Sequence, residues 1–128
     1  MWLFTNFGFF SVVQKTGESD LTVRTRFEGD LEQLRKLYLP ALGPTIQYGG
    51  TDYQFRAKAS HSDVAAALAK IAQDIHYDNF KDAVDARQGV DRHDAYYDVW
   101  MALDDAARRS KPGAPPKSAA YGRGRDRL

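Results

Sequence analysis

The chain has 128 residues, 43% of them hydrophobic and 27% charged, which suits one packed domain and is too short for two independent cores. It contains no cysteine, so disulfide frameworks, thiolate zinc sites and cysteine nucleophiles are excluded, and nothing asks for an oxidising compartment. The net charge of +1 is unevenly spread: residues 1–110 carry 13 Lys and Arg against 16 Asp and Glu, a net −3, whereas residues 111–128 carry 5 against 1, a net +4.

The opening Met1-Trp2-Leu3-Phe4 lacks the early positive charge and long apolar run of a secretory signal, and it predicts a strand. Cytoplasm is the default expectation, and no apolar stretch approaches the roughly 20 residues needed to cross a bilayer, so no membrane partner is expected. Trp2 to Lys15 predicts a hairpin turning around Asn6-Phe7-Gly8. After a polar loop, Leu21, Val23, Thr25 and Phe27 alternate with Thr22, Arg24 and Arg26, the period of a strand with one buried and one wet face.

Asp30 stands where a carboxylate can cap a helix, with Gln33 three places on, and Leu31, Leu34, Leu37 and Tyr38 share one face before Pro40 ends it. Ile46 and Tyr48 lead through Gly49-Gly50, which suits a tight hairpin, to Tyr53, Phe55 and Ala57 alternating with Gln54, Arg56 and Lys58. Ser60 and Asp63 cap a helix expected from about His61 to His76, with Val64, Leu68, Ile71 and Ile75 as its apolar stripe. Asp78 or Asn79 starts a shorter helix that Gly89 stops in a left-handed conformation. Asp91 and Asp94 open the last helix, where Tyr96, Val99, Trp100, Leu103 and Ala107 form the stripe expected to be buried.

Hairpin-linked strands point to a mostly antiparallel sheet of four or five strands with helices packed on one face, an α+β two-layer sandwich. The domain is expected over residues 1–110. Residues 111–128, rich in Pro, Gly and Arg, are expected to form a disordered basic tail, because they hold too little apolar surface to offset ordering entropy.

The candidate site is the wet sheet face, where Arg24, Arg26, Arg56 and Lys58 would form a cationic patch for an anion. With Trp2, Phe4 or Phe10 beside them it would resemble the sheets that bind single strands by charge and stacking. The alternative is a merely solvated face with those aromatics in the core. Arg123, Arg125 and Arg127 are candidate tail contacts for RNA, against a neutral solubilising extension. The acidic body speaks against a dedicated duplex binder.

His61, His76 and His93 each have acidic neighbours in sequence, but residues adjacent on a helix do not face one another, so none acquires a catalytic partner by spacing. Asp74 and Asp78 could share a face, yet a metal site needs more ligands, and no metal is expected. No phosphate loop, dinucleotide fingerprint or nucleophile elbow occurs, so no cofactor is expected and the balance favours a binding protein over an enzyme.

The segments MWLFT, GFFSVVQK at Gly8 to Lys15, YDNFK at Tyr77 to Lys81, and RH with YYDVW at Arg92 to Trp100 resemble a group of small bacterial proteins without assigned function. The resemblance covers most of residues 1–103 and implies a bacterial, cytosolic, stand-alone domain, with no catalytic residues, cofactor or partner to carry over. The expectation is therefore a small non-enzymatic binding or adaptor domain that contacts a protein or a second copy of itself. The alternative is RNA or single-stranded nucleic-acid binding through the cationic sheet face and the tail.

Overall fold

A computed structural model describes residues 1–113. Strands β1 (Trp2–Thr5), β2 (Gly8–Val13), β3 (Leu21–Thr25), β4 (Ile46–Gln47) and β5 (Phe55–Ala59) form one antiparallel sheet in the order β1-β2-β3-β5-β4. Helices α1 (Glu28–Leu37), α2 (His61–Gln73), α3 (Phe80–Gln88) and α4 (Val90–Arg109) complete an α+β sandwich.

The first hairpin closes through Thr5, whose hydroxyl accepts from the amides of Phe7 and Gly8 and donates to the Gly8 carbonyl at 2.8 Å. A Cβ on Gly8 would stand 2.9 Å from both Asp30 and Phe10, so the close approach of α1 to this strand requires glycine. The second hairpin is wider than Gly49-Gly50 alone implies. Gln47 pairs with Phe55, which leaves residues 48–54 as the loop, closed by the Tyr48 amide on the Gln54 carbonyl.

One sheet face packs under α1 and α2, with Phe10, Val12, Val23 and Ala57 meeting Leu31 and Leu34 from α1 and Val64 and Ala67 from α2. Full burial of side chains such as Phe10 and Leu31 contributes about 1.5–3 kcal/mol each. Leu39 and Leu42, in the connector, also enter this core, whereas Leu37 stays outside it.

Three expectations need correction. Asp30 does not cap α1: the helix begins at Glu28 after Phe27 with no side-chain cap, and Asp30 is buried one turn inside. Helix α2 stops at Gln73 instead of His76, which puts Ile75 outside the helix and in solvent. In α4 only Tyr96 of the expected stripe is buried, while Trp100 and Leu103 are exposed. Periodicity marks which side of a helix is apolar, and what lies on that side is decided elsewhere in the chain.

Ser60 caps α2 through the Asp63 amide and Asn79 caps α3 through the Asp82 amide. Gly89 ends α3 and starts α4 at φ 90°, ψ 177°. That conformation is extended rather than left-handed helical, yet its positive φ still favours glycine. The α3–α4 pair sits against the first hairpin: Gln88 donates to the Asn6 carbonyl at 2.7 Å, Arg87 lies over the Phe7 ring and Arg92 pairs with Asp30 at 2.7 Å.

Candidate binding groove

Because side chains alternate along a strand, the face away from α1 and α2 carries Phe4, Phe9, Ser11, Arg24 and Arg56. The cross-strand register sets Arg24 directly opposite Arg56 and Thr22 opposite Lys58. Like charges facing each other on a sheet repel, so the guanidiniums need other partners. Arg24 donates to the Ser11 hydroxyl at 2.6 Å and lies 4.6 Å from the Tyr53 ring centroid, Arg26 lies 5.3 Å from the same ring, and Arg56 donates to the Tyr53 carbonyl at 3.0 Å.

Arg24, Arg26 and Arg56 therefore gather around Tyr53. Lys58 belongs to another neighbourhood, tied to Glu18 at 2.6 Å, whose hydrogen bond raises the lysine pKa. Among the described residues no carboxylate forms a salt bridge with Arg24, Arg26 or Arg56. Among the described residues the cluster is thus a positive patch with no carboxylate salt-bridged to it. Arg123, Arg125 and Arg127 lie outside the described residues.

Beside this cluster runs a groove of about 590 Å³, floored by Phe4, Phe9 and Tyr53, with Trp2 and Phe27 at its mouth and Arg92, Tyr96 and Val99 of α4 as its far wall. Its size suits a small ligand or a few side chains of a partner. Trp2 is 46% exposed and Phe27 53% exposed, whereas Phe10 points into the core. Phe27, expected on the buried face, escapes it because β3 ends at Thr25 and the chain turns into α1.

The far wall is anchored electrostatically. Asp30 Oδ2 accepts from the Phe9 amide at 2.9 Å and from Arg92 at 2.7 Å, and the Arg92 guanidinium lies 4.2 Å from the Phe27 ring centroid. Burial works against the Arg92 charge, but the Asp30 hydrogen bond and charge outweigh it and move the pKa upward. Tyr96 meets Phe4 edge-on at 5.2 Å and stacks on Phe80 at 5.8 Å. Its hydroxyl is buried without a well-formed hydrogen bond, and burial pushes its pKa up to about 12, against the pull of neighbouring Arg92 and Gln88.

Phe9 and Arg92 emerge only from the structure as parts of the site. Strand alternation opposite Phe10 is a signal that could have found Phe9; nothing local could have found Arg92, which meets its partner across 62 positions.

The histidines lie elsewhere. His61 opens α2 and is exposed, His76 meets the Asp74 carbonyl at 2.8 Å, and His93 meets the neighbouring Asp94 carboxylate at 3.0 Å. His76 lines a second cavity of about 740 Å³ with Tyr38, Asp74 and Arg87, on the other side of the first hairpin from the arginine cluster. Burial and the Tyr38 hydrogen bond to Asp74 raise the Tyr38 pKa. Among the described residues no three His, Asp or Glu side chains converge as metal ligands, and no helix is long and apolar enough to cross a membrane. No family model, no curated protein and no solved structure matches the chain.

Proposed function

We propose that this domain is a non-enzymatic binding module that holds a protein partner in the groove between the sheet and α4. The observation that carries this reading is the half-exposure of Trp2 and Phe27 at the mouth of an apolar concavity whose lining includes Arg26, which forms no salt bridge among the described residues. Large aromatics beside arginine are the residue types that dominate protein interfaces, and a concave apolar floor gives them a pocket to anchor.

Anilinonaphthalene sulfonate, an apolar anion, is a direct probe of this surface. Saturable dye fluorescence is expected for the full chain, weakened about tenfold by Phe27→Asp and unchanged by Lys58→Ala. An absence of saturable binding by the monomeric chain, or binding indifferent to Phe27→Asp, overturns the reading.

A second reading, single-stranded nucleic acid, draws on the facing pair Arg24 and Arg56. Against it, most of the ring faces a base would need are engaged, leaving Trp2: Phe4 stacks on Phe9 at 4.5 Å, Tyr53 lies under two guanidiniums and Arg92 covers Phe27. Retention on single-stranded DNA that falls steeply with salt, and is lost when Arg24, Arg26 and Arg56 become alanine, would restore it.

A further inference from the structure

We infer that the partner filling the groove is a second copy of this chain, the two copies laying their α4 helices antiparallel in a closed two-fold dimer. This rests on the groove being a protein-contact surface and names what occupies it. Arg92, Ala95, Tyr96 and Val99 share the side of α4 that lines the groove. One turn further, the same side carries Leu103, which is 66% exposed. After Val99 the helix continues for about ten residues, or roughly 15 Å, and every apolar side chain along it is exposed.

Each chain thus holds a groove wall and an apolar extension on one continuous helix. Turning a second copy antiparallel places the extension of each over the groove of the other. The contact is self-complementary, so it closes at two copies instead of propagating. Ala95, Ala102 and Ala106 are small enough to let two helices approach to about 8 Å.

Charge favours the same direction. Asp91 lies in the first turn of α4 and Arg108 and Arg109 in the last, so antiparallel pairing brings the acidic start of each helix beside the basic end of the other and opposes their dipoles. The extension also bears Asp104, whose pair with the exposed Arg108 guanidinium is a contact along one helix and exchanges at little cost. The groove lining offers Arg26 as a new partner.

Sedimentation equilibrium of the full chain over a concentration series, in parallel with dye binding, tests this. The expected mass is twice the 14.4 kDa of one chain, with Leu103→Asp raising the dimer dissociation constant at least tenfold at unchanged circular dichroism. Dye bound per chain is expected to fall as the dimer forms and to rise in Leu103→Asp. A monomer at every concentration that still binds dye overturns the dimer and leaves the groove reading standing. A dimer indifferent to Leu103→Asp, or a mass that grows without limit, overturns the antiparallel pairing. A monomer that binds no dye removes both.

Discussion

The sandwich and the α3–α4 pair treat apolar residues in opposite ways. The sandwich takes Phe10, Val23 and Leu31 almost wholly out of water, whereas α3 and α4 together bury only Val84 and Tyr96 and leave Val90, Tyr97, Trp100 and Leu103 outside. The helix pair is held to the sandwich by a handful of contacts at the first hairpin and the start of α1: an ion pair, an amide hydrogen bond and three ring contacts. One region spends its hydrophobic residues on folding, and the other keeps them available for a surface.

The sharpest contrast is expected between Leu31→Ala and Val90→Ala in urea unfolding. The first leaves a cavity in the core and is expected to cost about 2–5 kcal/mol, while the second removes an exposed side chain and should stay within about 0.5 kcal/mol. Equal losses would erase the distinction between the regions.

Next in size is Asp30→Asn, which leaves the Arg92 guanidinium, 15% exposed, without its counter-charge; the expected cost is about 3 kcal/mol. Hydrogen exchange locates the effect. Protection lost first in α3 and α4 would mark them as a separately opening unit, and uniform loss would make the molecule one cooperative body.

How much of this was legible in the sequence follows from the range of each signal. Period two set Arg24, Arg56 and Lys58 on one face because alternation needs only neighbours. Lys58 nevertheless left the cluster through Glu18, 40 positions away, and Asp30 exchanged a cap for an ion pair with α4. Tyr53 read as a strand residue continuing Phe55 and Ala57, but it sits in the wider loop, where its ring slides beneath Arg24 and Arg26. The groove needed distances that no local pattern contains.

The smallest expected effect concerns Tyr96. Its folded pKa, about 12, lies above the unfolded value near 10, so its contribution to stability is complete below pH 10 and is lost as pH rises toward 12. Tyr96→Phe removes an ill-satisfied hydroxyl. Stability near pH 7 should change by less than about 1 kcal/mol, and the fall between pH 10 and 12 should become shallower, as alkaline unfolding curves would record. An unchanged slope would assign the alkaline loss to other tyrosines, of which Tyr38 is also raised.

Gly89 acquires mechanical meaning in this light. Helix α4 is about 30 Å long and starts from that single residue, so a change of about 10° in its direction would displace the far end by about 5 Å. That is half the width of a helix. The aim of the whole lever starts at one residue without a side chain and is steadied along its first two turns, where Arg92 clasps Asp30 and Tyr96 meets Phe4 and Phe80.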